Sequence, residues 1–395
     1  MTSRSHSARL RTAALLLTGL GLAGCSQSDQ EQLTRAPAGG AQPGHPGGGA
    51  ADGIESGQLT VVDGSLSRAT WAMGDELYLL GRQQPEKLAG PVQSPFTGTL
   101  SPAAVPSPAN DGAIAYSSFL DEQPVLRVHE PTKGTDSVVD VGAYSPAWGR
   151  QAGLAYFHGL TPRVEDPATY VGHVVVRASP QSGRVRWSAE PGRYIPSAWA
   201  GERLIVHELE QTWPTLVVFD GPERRRVLAT RATLVALSPD GGRALIAKEP
   251  TPTPAVAVVD VASGRELSSF SFSDQVAPLA GAKINYVADS GGWVGDTVIA
   301  AVTNGLAVFN VGGERIELEQ LLGVDPNGFP TGLTELKSDD TRRYIFASAE
   351  LMQQRRAAVT RTSIIECDRV ERRCVLGPSA PSYLPPRLIY NPSRP

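Results

Sequence analysis

The feature that most constrains this chain is a short apolar run that keeps returning. Glu76–Leu80, Ala113–Tyr116, Gly153–Phe157, Arg203–Val206, Ala244–Ala247, Thr297–Ala300 and Tyr344–Ala347 are about seven such runs, spaced about forty to fifty residues apart. Each is four or five residues long, rich in β-formers and bounded by Gly, Pro, Asp or Ser, the pattern of strands rather than helices. The 41 Gly and 32 Pro of the 395 residues argue against a helical bundle in the same way. A repeat of this length marks a unit of four strands that cannot bury its apolar face alone and must stack on a neighbour. The expected fold is therefore all-β, a β-propeller of about seven four-stranded blades, with six to eight compatible with the spacing. The expected limits are residues 58–378, with 379–395 as a C-terminal tail.

The units align in more than spacing. Four carry a Trp, a Gly turn and then the apolar strand: Trp71 before Gly74-Asp75, Trp148 before Gly149, Trp199 before Gly201-Glu202 and Trp293 before Gly295-Asp296. At the matching place another unit reads Leu237-Ser238-Pro239-Asp240-Gly241-Gly242. The hairpins end in related turns, Ser182-Gly183-Arg184, Ser263-Gly264-Arg265 and Gly313-Glu314-Arg315, whose Gly admits the positive φ that tight turns need. On the segment Leu234–Ala247 and its continuation Val259–Arg265, with Tyr144-Ser145-Pro146-Ala147-Trp148 as a weaker copy, the chain resembles the TolB-like, or PD40-type, propeller repeats of bacteria. That resemblance implies a fold and no particular chemistry. Within it the repeated Trp residues read as packing between blades, and Asp75, Asp240 and Asp296 as turn residues.

The N-terminus carries a different message. Arg4, Arg9 and Arg11 precede an apolar run from about Thr12 to Ala23, too short to span a bilayer and the size of a signal-peptide core. It closes on Leu22-Ala23-Gly24-Cys25, which resembles the lipobox of bacterial lipoproteins. The resemblance implies cleavage after Gly24 and a diacylglycerol on Cys25, so residues 1–24 are expected as the signal peptide. Residues 25–57, with Ala36-Pro37-Ala38-Gly39-Gly40 and His45-Pro46-Gly47-Gly48-Gly49, are expected as a flexible linker, because such a composition cannot bury enough apolar surface to offset its backbone entropy. The implied location is the cell envelope, outside the cytoplasm, with the membrane reached through the lipid on Cys25.

Two further cysteines, Cys367 and Cys374, stand at hairpin distance in a chain that is expected to be exported. A disulfide is the simplest reading. A metal site competes with it, but two Cys without a nearby His are too few ligands. Such a bridge contributes roughly 2 to 3 kcal/mol in the chain-entropy model.

Chemistry is hard to find. The formal charge of −4 offers no basic excess for nucleic acid. No phosphate loop, H-E-x-x-H or G-x-S-x-G motif occurs, His45, His129, His158, His173 and His207 show no metal-ligand spacing, and Asp325-Pro326-Asn327-Gly328 reads as a turn. No catalytic residue, cofactor or metal is therefore expected. The longer irregular segments, Ser118–Pro124, Leu160–Gly172, Leu209–Pro214, Glu249–Pro254 and Ser348–Thr360, join second to third strands and so fall on one face of the disc. Binding residues concentrate on long loops held by a rigid scaffold. Phe119, Arg163, Tyr170, Trp213, Arg355 and Arg356 are the candidates for contact with an envelope protein, since aromatics and Arg dominate interface energetics. The reading is a lipid-anchored scaffold or protein-binding module. Its alternatives are a propeller enzyme of the glycosidase, lyase or quinoprotein type, with acidic groups at the axis, and a small-ligand or glycan receptor with a pocket lined by Trp213, Tyr170 or Trp293.

Overall fold

A computed structural model describes residues 60–63, 69–73, 76–79, 86–90, 92, 104–109, 111–159, 171–209, 213–249, 255–271, 287–294, 297–302, 305–310, 316–319, 332–338, 343–354, 357–368, 370–371, 373–382 and 387–390. The expected signal peptide, Cys25 and the linker lie outside them. Every regular element among the described residues is a strand, and no helix there is long and apolar enough to cross a membrane.

The strands fall into seven sheets. After β1 (Thr60–Asp63) come β2 (Ala69–Met73), β3 (Glu76–Leu79) and β4 (Glu86–Ala89) of blade one. Blade two holds β5 (Ala104–Pro106), β6 (Ile114–Leu120), β7 (Gln123–Glu130) and β8 (Thr135–Val141). Blade three holds β9 (Ala143–Gly149), β10 (Gly153–Gly159), β11 (Gly172–Arg177) and β12 (Val185–Ser188), and blade four β13 (Tyr194–Ala200), β14 (Arg203–Glu208), β15 (Thr215–Phe219) and β16 (Arg225–Ala229). Blade five holds β17 (Ala232–Leu237), β18 (Arg243–Lys248), β19 (Ala255–Asp260) and β20 (Glu266–Ser271). Blade six holds β21 (Val287–Val294), β22 (Thr297–Val302), β23 (Gly305–Asn310) and β24 (Ile316–Glu319). Blade seven holds β25 (Gly332–Ser338), β26 (Arg343–Gln354), β27 (Ala357–Asp368) and β28 (Arg373–Ser382), and the last strand is β29 (Arg387–Tyr390).

The innermost strands lie against one another in order, β5 on β9, then β13, β17, β21 and β25, and β25 touches β29, which touches β5. Both ends of the domain take part in this arrangement. β29 pairs antiparallel with β2, Trp71 opposite Leu388, and so supplies the innermost strand of blade one. The segment expected as a C-terminal tail thus contributes a blade strand, and Arg387-Leu388-Ile389-Tyr390 has the apolar content to do so. Trp71 accordingly stands one strand further from the axis than Trp148, Trp199 and Trp293. β1 adds a fifth strand to blade seven, pairing parallel with β28 from Thr60 opposite Arg373 to Asp63 opposite Leu376. Each terminus covers a sheet edge that would otherwise be open to pairing.

The sequence pattern follows from this stacking. Middle strands are buried on both faces by neighbouring blades, so β10, β14 and β15 read as unbroken apolar runs. Outer strands such as β8 and β12 are mostly exposed and carry the charge. The core is a set of wedges between blades: Leu77 with Ile114 and Tyr116, Leu126 and Val128 with Leu154 and Tyr156, Val174 and Val176 with Leu204 and Phe219, and Ile205 and Val218 with Ile246 and Val259. The innermost strands of blades three to seven each carry a bulge, at 145–146, Ser197, Val235, 288–290 and Thr334, the added twist expected where sheets crowd an axis.

The repeated Trp residues do what packing requires. Trp199 donates from Nε1 to the carbonyl of Ala147 at 3.0 Å and joins the wedge between blades three and four. A Cβ on Gly149 would stand 2.7 Å from its ring, which explains the Gly there. Trp148 packs in the wedge between blades two and three, and Trp293 is fully buried with the Arg243 guanidinium 5.0 Å from its ring.

Candidate binding face

In blades two to seven the first and second strands, and in every blade the third and fourth, are joined at one end of the disc; the second-to-third connections and the links between blades lie at the other. The first end is built of short turns. At Ser238–Arg243 the Asp240 carboxylate accepts from Ser238 Oγ at 2.6 Å and from the Gly242 amide at 2.9 Å, while Gly241 takes φ +69°. The Ser238 hydroxyl first and the Gly242 amide second hold Asp240 below the usual carboxylate range. Asp240 is thus a turn residue; Asp75 and Asp296 lie outside the described residues.

The other end repeats a different device. In three blades a residue at or just before the start of the inner strand donates its amide to the head of the preceding blade's third strand: Gly142 to Pro124 at 2.7 Å, Gly192 to Gly172 at 2.8 Å and Ala232 to Pro214 at 3.0 Å. Carbonyls in the same links accept from the end of the next second strand, Gly142 from Gly159 at 3.1 Å, Arg193 from Leu209 at 2.8 Å and Arg231 from Glu249 at 3.0 Å. Gly142 and Arg231 take positive φ to make the turn. The stems of the connections at 160–171 and 209–214 are therefore clamped at both sides, and that of 249–254 at Glu249.

Two of the five segments expected as loops are not loops. Ser118–Pro124 is a tight hairpin, with Leu120 paired to Gln123 and Asp121 and Glu122 both at positive φ, the geometry of a two-residue turn reached without the usual Gly. Ser348–Thr360 is mostly strand, because β26 and β27 pair without a break from Arg343 opposite Asp368 to Gln354 opposite Ala357. Each has 12 residues where β14 and β18 have 6, so this hairpin extends about 20 Å further toward the long-loop end. β28 follows β27 outward as far as Ser382 opposite Thr360.

The candidate residues fare unequally. Phe119 is half-buried at the tip of the β6–β7 hairpin, opposite Pro124, next to exposed Leu120. Trp213 is half-buried beside the head of β15. Both belong to the long-loop end. Arg163, Tyr170, Arg355 and Arg356 lie outside the described residues. Trp293, entirely buried, is not available to line a pocket. Cys367 and Cys374 face each other across β27 and β28 and are joined by a disulfide, at the short-turn end of blade seven.

A polar cluster between blades two and three escaped the sequence reading. Asp140 on β8 accepts from Tyr156 Oη at 2.7 Å and from Arg177 Nη2 at 3.0 Å, Arg177 Nε donates to Tyr156 Oη at 2.7 Å, and His158 Nδ1 stands 3.7 Å from the same carboxylate. Tyr116 donates to Asp136 at 2.6 Å within blade two. Burial first, and the carboxylate bonds second, push both Tyr hydroxyls above their ordinary range, so they serve as donors rather than bases. Burial likewise lowers the tendency of His129 to take a proton. The cluster about Asp140 locks two blades together, and its members come from three strands with no shared motif. Among the described residues no three His, Cys, Asp or Glu side chains gather as metal ligands would.

No family model and no curated protein matches the chain. Solved structures do. A prolyl endopeptidase is similar over 81% of this chain and 50% of its own, at 14% identity and TM-score 0.52. TolB from Acinetobacter baumannii is similar over 64% of this chain and 65% of its own, at 14% identity and TM-score 0.40, and the propeller domain of the Trilobed protease from Pyrococcus furiosus over 75% and 94%, at 11% identity and TM-score 0.46. The chain thus spans half the length of the prolyl endopeptidase and just under two thirds of TolB. These likenesses concern the fold, and the chain is a β-propeller whose structural neighbours include TolB and peptidase propellers.

Proposed function

We propose that the protein is a lipid-anchored β-propeller on the outer side of the cytoplasmic boundary, and that it works as a protein-binding scaffold of the cell envelope through its long-loop end. The observation that carries this reading is the asymmetry of the disc. Connections at one end run to seven residues at most, and several are internally bonded, while the other end carries longer ones such as 160–171, half-buried Phe119 and Trp213 and the 12-residue strands of the blade-seven hairpin. Rigid stems under variable loops are how scaffolds present binding residues. The Leu22-Ala23-Gly24-Cys25 sequence supports the anchor, and the Gly/Pro-rich composition of 25–57 supports a tether of tens of ångströms by the random-coil estimate. The likeness to prolyl endopeptidase shows a shared fold and brings no catalytic residue to this chain.

The reading is tested with acylated chain solubilised from membranes and used to capture partners, wild type against Trp213→Ala combined with Arg355→Ala and Arg356→Ala. A protein retained by wild type and lost by the variant supports it. Identical sets of retained proteins refute the assignment of the long-loop end.

A further inference from the structure

The direction of β1 says from which end of the disc the tether leaves. β1 runs parallel to β28, and its first residue, Thr60, lies opposite Arg373, where β28 emerges from the β27–β28 turn. That turn belongs to the short-turn end, so the chain preceding Thr60 joins the disc at that end.

The turn beside this exit has an unusual form. Cys367 and Cys374 close it, both buried, and Asp368 Oδ1 accepts the amides of Val370 and Glu371 at 3.0 Å each. The loop so fixed holds out Val370, 74% exposed where no other large exposed apolar side chain among the described residues passes 49%. Its sequence, Asp368-Arg369-Val370-Glu371-Arg372-Arg373, sets three cations against two acids around the valine. The corresponding turns of blades three, four and five carry exposed Arg184, Arg224 and Arg265. Acids share this end: Asp240 and Asp260 accept bonds within their own turns, Asp220 pairs with Arg203, and Asp111, Glu202, Glu223 and Glu371 are exposed.

From these placements we infer that the short-turn end rests on the anionic phospholipid bilayer that holds the anchor, with Val370 among the headgroups and the turn arginines on lipid phosphates. The inference rests on the lipid-anchor reading above. An exposed aliphatic side chain in a turn with an excess of Arg suits the headgroup boundary, where apolar contact and attraction to anionic lipid add. Each contact is weak, but a tethered domain meets the surface at high effective concentration, so weak contacts become populated. Docking in this sense turns the long-loop end outward.

The test uses full-length acylated protein, its mass first establishing the acyl groups on Cys25, in phosphatidylcholine vesicles with and without phosphatidylglycerol. Amide exchange at 370–371, 182–184 and 263–265 is expected to slow roughly fivefold only with phosphatidylglycerol, about the effect of one arginine's surface attraction. The slowing should vanish in a Val370→Asp, Arg184→Gln, Arg224→Gln, Arg265→Gln variant whose thermal transition matches wild type. Equal exchange in both vesicles, or slowing at Asp121–Gln123 instead, overturns the docking while leaving the anchor intact. A mass without acyl groups overturns the anchor reading, and the inference with it.

Discussion

The two ends of the disc differ in what their residues are for. At the short-turn end, Ser238–Arg243 and Asp260–Arg265 spend nearly every polar group on themselves: Ser238 Oγ and Asp240 bond amides of their own turn, and Asp260 bonds both the amide and hydroxyl of Ser263. At the long-loop end the described bonds are those of the stems, through the Gly142, Arg193 and Arg231 links, and the connections between them differ in length from blade to blade. The contrast teaches where the fold places constraint. Turns that repeat serve the blade, and connections that do not repeat are open to a role in binding.

That contrast can be broken from either side. The largest effect is expected at Gly153, φ +95°, where a Cβ would stand 2.0 Å from the Arg177 carbonyl oxygen. Gly153→Ala should cost roughly 3 kcal/mol in denaturant unfolding. Gly134→Ala, also at positive φ but with nothing within 4 Å of the added carbon, should cost only about 1 kcal/mol. Next comes the disulfide of the stapled turn. Cys367→Ser with Cys374→Ser should lower stability by roughly 2 to 3 kcal/mol, an effect reproduced in wild type by reductant. Trp199→Phe, which removes the bond to Ala147 across blades, should cost about 1 kcal/mol.

The long-loop end should respond differently. Doubling the connection between Glu249 and Ala255 with Gly and Ser should cost about 0.6 kcal/mol, the entropy of a longer loop, whereas the same insertion between Gly241 and Gly242 should unseat the hairpin and lose the cooperative transition. Equal losses at the two sites would erase the distinction.

The smallest effect is a pH dependence. Asp240 has a folded-state pKa depressed by Ser238 and Gly242, so the stability it contributes is present above the unfolded value of about 3.9 and is lost as pH falls through the folded one. Asp240→Asn should flatten that part of the acid limb of the stability curve, read by unfolding at a series of pH values.

Features that repeat were legible in the sequence. The seven apolar runs became strands of seven sheets, the Ser-Pro-Asp-Gly turn at 238–241 and the Ser-Gly turn at 263–264 were recognisable, and Trp148, Trp199 and Trp293 could be read as packing because they recur at one offset. Features that depend on register were not. Nothing local in Arg387–Tyr390 says that it will pair with β2, and nothing in Thr60–Asp63 says that it will run parallel to β28, because both pairings join positions more than three hundred residues apart. The β26–β27 hairpin was mistaken for a loop because Gln353, Gln354, Arg355 and Arg356 break the apolar alternation, while the ladder is set by pairing along its whole length. The Asp121–Glu122 turn was missed because no Gly announces its positive φ. Of the candidate binding residues, Phe119 and Trp213 stand at the long-loop end while the other four lie outside the described residues, and sequence does not give the arrangement among them, since loop conformation is fixed by the stems and by whatever the loops meet.

The central claim is that the long-loop end faces a protein partner. It is tested most directly by placing a photoreactive phenylalanine at Trp213, or at Arg224 on the opposite end, in acylated chain within intact membranes, and irradiating. A discrete protein adduct from position 213 and none from position 224 is the predicted result. Protein adducts from 224 alone, or the same adducts from both, would contradict it.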